Sequence, residues 1–265
     1  MTQNYRTFTF GSPKDPCVVL LHGFLGTARN LYTLGQKVSE AGYFVLAYDQ
    51  RGHGLSPHFS AEKYTLEEMA NDLFHILSQN HIEKAHLVGH SMGGRVALEA
   101  AIIAKQKGNN CFLSLTMLDV GIDLHQEAYN ELDKIISPLP EFFENKEDET
   151  NFLACYSEQM RAFLSSNLRT DDQGKRRWIF DLVGLRSAFK KVLFLKSQAE
   201  GFRGLTIPIT SARGENSKHF RSADQNRLKE LNPKTHLVTI PNAQHWVHAD
   251  NLNGTLKVII DSLSR

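Results

Sequence analysis

Cysteine is scarce in this chain, and long hydrophobic runs are missing. The 265 residues include three cysteines, Cys17, Cys111 and Cys155, an odd number without the spacing of metal ligands. This pattern excludes a disulfide framework and a cysteine-based metal site. No stretch approaches the roughly 20 apolar residues of a membrane span, and the first residues lack the apolar core of a signal peptide. We therefore predict a cytoplasmic protein with no membrane span.

The chain also lacks an excess of charge of either sign. It has 30 lysine and arginine residues against 29 aspartate and glutamate residues, for a net charge of +1. Proteins that bind nucleic acid present a basic surface, so we predict no nucleic-acid partner. The short charged runs are predicted to face solvent. The basic run at 175–177 is expected to form a solvent-exposed face, and the acidic run at 144–149 is expected to form a surface loop.

Strand and helix patterns alternate along most of the sequence. Such alternation predicts an α/β fold, with a mostly parallel sheet and helices on both of its faces. The predicted strands span 5–10, 17–21, 43–48, 85–88, 112–118, 206–211 and 235–240. The predicted helices span 65–79, 94–104, 220–231 and 251–263.

Residues 123–205 interrupt this alternation. They hold apolar residues at helical spacing, such as Leu132, Ile135 and Ile136, and no convincing strand pattern. We therefore predict a core formed by residues 1–122 and 206–265, into which a helical lid is inserted at 123–205.

The sequence Gly89-His90-Ser91-Met92-Gly93 spells G-x-S-x-G between a predicted strand and a predicted helix. This context matters, because a sharp strand-to-helix turn holds the serine hydroxyl exposed at the carboxyl edge of a sheet. Glycines on either side of such a turn let the backbone segments approach closely. The motif therefore predicts that the serine is a nucleophile.

A serine nucleophile needs a base, and the base needs an acid. His245 follows the last predicted strand and is the favoured base, with His248 on the same loop as the alternative. Asp119 is the favoured acid because it ends the strand at 112–118, and the ends of neighbouring strands lie only about 5 Å apart. Glu215 is the alternative acid, in a turn where Ser217 occupies the position at which many enzymes with such a nucleophile turn place an aspartate.

Acyl transfer generates an oxyanion that needs two preorganised N–H donors. We predict the N–H of Met92, directly after the nucleophile, and the N–H of Phe24, in the glycine-rich turn 22–26. Arg51 and His53, in the next glycine-rich turn, are predicted to hydrogen-bond that turn rather than to bind a metal or act as a base.

Together these motifs resemble the α/β-hydrolase family over the whole chain, and most closely its YbfF-type esterases. The segments that carry the resemblance are 22–26, 51–57, 89–94, 118–120, 163–168, 213–217 and 241–250. The resemblance implies a Ser–His–Asp triad whose acid follows the next strand after the helix that begins at the nucleophile, which matches Asp119. It also implies hydrolysis of esters or thioesters, with acyl-CoA among the substrates.

The favoured function is therefore a carboxylesterase or thioesterase that uses no metal and no other cofactor. One alternative is a lyase of the menaquinone pathway or a carbon–carbon bond hydrolase; another is a non-catalytic ligand receptor. Ser217 argues against the first, because those enzymes usually keep an aspartate there.

Three aromatic residues are predicted to contact the substrate: Phe163 and Trp178 in the lid, and Trp246 in the core. They would favour short to medium acyl chains, since each buried methylene contributes at most about 0.8 kcal/mol until the pocket is full. The alternative is that the lid aromatics form the lid's own small core.

Overall fold

The computed structural model describes residues 4–190 and 197–265; residues 191–196 of the predicted lid lie outside this description. The N-terminal part alternates strands and helices. In chain order these are β1 Thr7–Phe10, β2 Cys17–Leu21, α1 Tyr32–Glu40, β3 Phe44–Tyr48, α2 Leu66–Gln79, β4 Ala85–His90, α3 Met92–Gln106 and β5 Phe112–Leu118. Short 3-10 helices lie at Ala28–Leu31 and Ala61–Lys63.

The segment after β5 leaves the sheet before the chain returns to it. In order it contains α4 Gln126–Ile136, β6 Phe142–Phe143, α5 Lys146–Leu153, α6 Glu158–Ser166, β7 Leu168–Thr170, β8 Arg176–Trp178, α7 Leu182–Ala188 and α8 Ala199–Arg203. The chain then forms β9 Ile209–Gly214, α9 Ser222–Leu231, β10 His236–Ile240, α10 Val247–Asp250 and α11 Leu252–Leu263.

Seven strands form one sheet in the order β1-β3-β2-β4-β5-β9-β10. Only β1 runs antiparallel to its neighbour, and the other pairs are parallel. Buried apolar residues fall into two clusters, one on each face: α2 and α3 pack on one face, and α1 and α11 on the other. The predicted α/β fold, with a mostly parallel sheet covered on both faces, is confirmed.

The boundary of β9 differs from the prediction for a local reason. The predicted strand begins at 206, whereas β9 begins at Ile209, directly after Pro208. Proline has no backbone N–H to donate to a neighbouring strand. Its carbonyl oxygen accepts a hydrogen bond from Leu115 N at 3.0 Å, so the hydrogen bonds between β5 and β9 begin at Pro208.

The prediction that residues 123–205 contain no strand is wrong. Three short strands form a separate antiparallel sheet in the order β6-β8-β7. Strands of two or three residues are too short to show an alternating pattern. The tight turn between β7 and β8 was visible in the sequence as Asp171 and Gly174. In the structure Gly174 has a φ of 81°, and Asp171 Oδ1 accepts hydrogen bonds from Gln173 N and Lys175 N. Asp and Gly at such positions are typical of tight turns.

The charged runs of this segment are largely exposed, as predicted, except at Glu149 and Arg176, and the acidic run is partly helical rather than a loop. The helix α5 begins inside the acidic run, and Glu149 is fully buried. Its carboxylate pairs with Lys146 Nζ and with Arg176 Nε, each at 2.6 Å. A buried carboxylate requires such partners. Arg176 of the basic run therefore joins β8 to α5, instead of lying free in solvent.

No helix in residues 4–190 and 197–265 combines the length and the apolar composition that crossing a membrane would require.

Candidate active site

Ser91 occupies a sharp turn between β4 and α3. Its backbone has a φ of 52° and a ψ of −123°, outside the regions that residues other than glycine normally adopt. A Cβ atom on Gly89 would lie 2.3 Å from the carbonyl oxygen of Gly93, and a Cβ atom on Gly93 would lie 2.3 Å from that of Leu21. Only glycine fits at these two positions, so the G-x-S-x-G spacing follows from the close approach of strand, turn and helix.

The turn brings the Ser91 hydroxyl to His245, which follows β10. His245 Nε2 lies 3.1 Å from Ser91 Oγ, and His245 Nδ1 lies 2.7 Å from Asp119 Oδ2. When Nδ1–H donates to the carboxylate, Nε2 keeps a lone pair that accepts the Ser91 hydroxyl proton. The three residues follow β4, β5 and β10, whose carboxyl ends lie at one edge of the sheet. The structure thus assembles the predicted nucleophile, base and acid into one hydrogen-bonded chain.

Asp119, rather than Glu215, is the carboxylate beside His245. It is fully buried, with Oδ1 accepting from Gly214 N at 2.8 Å and Oδ2 accepting from Ser217 Oγ at 2.6 Å. Glu215 lies exposed on the adjacent turn, where its Oε2 accepts from Asn242 N at 2.9 Å. Ser217 occupies the position at which many such enzymes place an aspartate, and here its hydroxyl donates a hydrogen bond to the Asp119 carboxylate.

The second histidine of the loop, His248, has a different environment from His245. It lies in α10, and its ring centroid is 4.7 Å from that of His90. His90 in turn donates from Nε2 to the carbonyl oxygen of His245 at 2.7 Å. Sequence reasoning missed His90, although it stands next to Ser91 in the motif. The hydrogen bond from His90 holds the backbone of His245 in position.

The glycine-rich turn after β2 lies against the nucleophile. A Cβ atom on Gly23 would be 3.3 Å from Ser91 Cβ. His53 Nε2 accepts a hydrogen bond from Leu25 N at 3.1 Å, so His53 holds the backbone next to Phe24. Met92 begins α3, where the first N–H groups have no partner within the helix. Of the two residues predicted to donate to an oxyanion, Met92 directly follows Ser91 and Phe24 lines the same cleft as Ser91.

The turn after β3 is held by buried polar groups. The Arg51 guanidinium pairs with both carboxylate oxygens of Asp72 at 2.5 Å. Asp49 accepts from Ala28 N at 2.8 Å and from Leu55 N at 3.0 Å. These contacts agree with the structural role that we predicted for this turn.

A cleft of about 490 Å³ opens above Ser91 and His245. From residues 123–205, its lining includes the apolar side chains of Leu132, Ile135, Met160 and Phe163. Trp246 also lines the cleft and contacts Phe163, with the two ring centroids 5.3 Å apart. Two of the three aromatic residues predicted to contact a substrate, Phe163 and Trp246, therefore line the cleft.

Trp178 does not line this cleft, and the structure does not support the substrate contact that we predicted for it. Its side chain is buried against Phe143 and Phe180, with ring centroids 5.7 and 5.0 Å away. Its Nε1–H donates to the carbonyl oxygen of Pro140 at 2.7 Å. Trp178 thus packs among aromatic residues of the inserted segment, and the carbonyl oxygen of Pro140 supplies the partner that a buried indole N–H needs.

Burial also sets the electrostatics of the site. It lowers the pKa of His245 to about 4, an effect that the negative charge of Asp250 opposes. Burial raises the pKa of Asp119 to about 7, against the hydrogen bonds donated by Ser217 and Gly214. Desolvation disfavours the charged form of each group. His245 is therefore neutral at neutral pH, which is the form that accepts a proton.

Comparison with known proteins agrees with the fold and the motifs. A model of the alpha/beta hydrolase fold matches residues 16–252. The sn-1-specific diacylglycerol lipase ABHD11 of Danio rerio is 30% identical over 240 residues, which cover 88% of this chain and 74% of the relative. Esterase YbfF of Escherichia coli (strain K12) is 25% identical over 244 residues, covering 91% of each protein.

Solved structures share the same fold at lower sequence identity. A marine microorganism esterase superimposes with a TM-score of 0.82 at 24% identity, covering 98% of this chain and 100% of the other. E-2-(acetamidomethylene)succinate hydrolase superimposes with a TM-score of 0.84 at 23% identity, covering 99% of each chain. The seven-stranded sheet, the serine turn and the family match together identify this chain as a member of the α/β-hydrolase fold family, close to the YbfF-type esterases.

Proposed function

We propose that this protein is a serine hydrolase that cleaves carboxylic esters or thioesters through an acyl-enzyme intermediate. The observation that carries the proposal is the hydrogen-bonded chain from Ser91 through His245 to Asp119, at the floor of a largely apolar cleft. This arrangement activates a hydroxyl as a nucleophile, because the neutral imidazole takes its proton and the carboxylate stabilises the resulting cation.

In the acylation step, Ser91 Oγ bonds to the acyl carbon of the substrate while its proton passes to His245 Nε2. The tetrahedral intermediate then collapses, and the bond from carbon to the leaving oxygen or sulfur breaks. His245 returns the proton to the leaving group, which departs as an alcohol or thiol. Asp119 keeps Nδ1 protonated and the ring oriented, and the two hydrogen bonds it accepts from Gly214 and Ser217 hold the carboxylate in place.

The developing negative charge on the substrate carbonyl oxygen needs donors that are already in position. The backbone N–H groups of Phe24 and Met92 are proposed to supply them. His53 supports this role indirectly, since its hydrogen bond to Leu25 N fixes the turn that carries Phe24.

The walls of the cleft support a substrate with an apolar acyl group. The lid residues Leu132, Ile135, Met160 and Phe163 offer apolar surface beside the reacting atoms, as pockets for hydrophobic ligands do. Two relatives, named as a diacylglycerol lipase and an esterase, support ester substrates. We extend the proposal to thioesters such as acyl-CoA, and to residues 123–205 as the lid that selects the acyl chain.

A graded panel of 4-nitrophenyl esters and acyl-CoA thioesters tests the proposal. We expect product release with at least one series, together with an acyl adduct on Ser91 in quenched reactions, detected by mass spectrometry. Absence of turnover and of any adduct across the panel would favour a non-catalytic receptor. Turnover confined to carbon–carbon bond substrates would instead favour the lyase or carbon–carbon hydrolase alternative.

The pH dependence of kcat/KM is expected to show an acid limb centred below 6.5, the ordinary pKa of histidine. Burial lowers the pKa of His245, so the neutral base persists to lower pH than a solvated imidazole would. Activity is then lost as pH falls through this ionisation, because protonated Nε2 accepts no proton from Ser91.

A pH–rate profile with a neutral ester measures this limb, and thermal melts at each pH separate ionisation from unfolding. A midpoint at or above 6.5 in folded enzyme would assign the limb to Asp119, whose pKa burial raises to about 7, instead of to His245.

Replacing Phe163 with alanine is expected to move the acyl-chain optimum toward longer chains. The substitution enlarges the cleft on its lid side, and each further methylene that can be buried contributes about 0.8 kcal/mol, or nearly fourfold in kcat/KM. The measurement is kcat/KM across the ester panel for the parent and the variant.

Trp178→Phe is the matched control, because Trp178 packs in the core of the inserted segment and not in the cleft. It should lower thermal stability and leave the chain-length profile unchanged. If Trp178→Phe moves the optimum and Phe163→Ala does not, the assignment of these two aromatic residues is reversed.

A further inference from the structure

His219 is a second imidazole beside the proposed base, and the acylation step does not use it. It lies in the loop between β9 and α9, with its ring centroid 4.3 Å from that of His245 and an angle of 38° between the two rings. Its backbone is held on both sides, since its N–H donates to Ser217 Oγ at 3.2 Å and its carbonyl oxygen accepts from His125 Nε2 at 3.1 Å. These contacts hold the backbone that carries the ring next to the reacting groups.

The ring nitrogens of His219 have no hydrogen-bond partner among residues 4–190 and 197–265. Burial lowers the pKa of His219 to about 4, and the nearby His245 contributes to the same shift. The ring is thus neutral at neutral pH and carries one N–H donor and one lone-pair acceptor. A neutral ring with both functions available, on a backbone held by hydrogen bonds, is suited to holding a small polar molecule.

A small cavity of about 20 Å³ adjoins the cleft at the level of this ring. All three triad residues line it, together with His219 and Arg95. About 10 to 15 Å³ is enough for one water molecule when polar groups surround the space. The cavity therefore has the size and the polar lining for a single water.

The small cavity and the cleft meet at the reacting groups. Ser91, His219 and His245 line both spaces. Leu124 lines only the small cavity, whereas Ile135 of α4 lines only the cleft. An acyl chain in the cleft would leave the small cavity accessible to water, because the cavity is too small for an acyl group.

We propose that the small cavity binds the water that hydrolyses the acyl-enzyme, and that His219 holds this water in position. The inference rests on the proposed serine hydrolase function. The water oxygen bonds to the acyl carbon, and one of its protons passes to His245 Nε2. The bond between the acyl carbon and Ser91 Oγ then breaks, and Nε2 returns the proton to Oγ. The product is the carboxylic acid, which ionises in solvent.

His219→Phe tests this role, because phenylalanine keeps a ring against His245 but cannot hydrogen-bond to water. With 4-nitrophenyl butyrate, the first turnover of 4-nitrophenol release should stay within about twofold of the parent. Steady-state kcat should fall about tenfold, as expected when one positioning hydrogen bond is lost. The fraction of enzyme trapped as acyl-enzyme in quenched mixtures should rise. His219→Gln, which restores a donor and an acceptor, should recover most of the rate.

Filling the small cavity provides an independent test. Leu124→Phe should slow hydrolysis, while added methanol still attacks from the cleft, so the ratio of methyl ester to acid should rise several-fold. Leu55→Phe, the same substitution at an exposed site that lines neither space, should leave this ratio unchanged.

An equal fall in first-turnover and steady-state rates in His219→Phe would overturn the proposal and assign His219 to holding His245. Unchanged kcat in both His219→Phe and Leu124→Phe would also overturn it. A complete absence of acyl adduct in the parent protein would contradict the proposed function itself, which keeps the two failures distinguishable.

Discussion

Replacing Ser91 with alanine is expected to lower kcat for 4-nitrophenyl esters by roughly 10³- to 10⁶-fold. The substitution removes the hydroxyl that is 3.1 Å from His245 Nε2, and with it the covalent route. The oxyanion donors and the apolar cleft remain, so binding and a small residual rate should persist. The backbone should keep its fold, because alanine accepts the positive φ at this position no worse than serine does.

A fluorophosphonate probe provides the direct measurement. It should label the parent protein on Ser91 and leave Ser91→Ala unlabelled, while Ser12→Ala, at an exposed position far along the chain, should label normally. Labelling that survives in Ser91→Ala would place the nucleophile at another residue. A thermal melt of each variant shows that loss of labelling does not come from unfolding.

Asp119→Asn is expected to lower kcat by about 10²- to 10⁴-fold. A neutral amide cannot compensate the imidazolium that forms on His245 during acylation. Its NH₂ group would also face Nδ1 or the donors Gly214 N and Ser217 Oγ, which now point at a carboxylate. The base would then be held in the wrong tautomer or orientation.

Glu215→Gln is the matched control for the acid. Its side chain is exposed and accepts from Asn242 N, so its loss should change kcat much less than the loss of Asp119. Ser217→Ala should have an intermediate effect, because it removes one of the donors to Asp119 and leaves the carboxylate in place. If Glu215→Gln proves more damaging than Asp119→Asn, the acid is Glu215 and the arrangement proposed here is wrong.

Much of the fold and part of the candidate site could be predicted from the sequence because their patterns are local. Alternating strand and helix patterns predicted the parallel sheet, since a strand buried on both faces must be apolar along its length. The G-x-S-x-G motif predicted the turn at Ser91, because only glycine tolerates the backbone contacts at Gly89 and Gly93. His245 could be predicted as the base because, in the chain order typical of this fold, the base follows the last core strand.

The choice between Asp119 and Glu215 depended on contacts between distant parts of the chain. Both follow neighbouring strands, and spacing along the sequence does not say which side chain turns toward His245. The structure resolves this because β5 and β9 are adjacent, and Gly214 and Ser217 on the loop after β9 donate to the Asp119 carboxylate. Such hydrogen bonds join residues almost a hundred positions apart, beyond the reach of any local pattern.

The sequence by itself thus determined the class of fold, the nucleophile turn and a short set of candidates for base and acid. Only the tertiary structure decided that Trp178 packs in the inserted segment while Phe163 lines the cleft, since both are aromatic residues in the same insertion. It alone brought His219 against His245 and enclosed the small cavity beside them. Local backbone preferences and periodicity are encoded within a few neighbouring residues, whereas cavities and side-chain contacts arise where distant segments pack together.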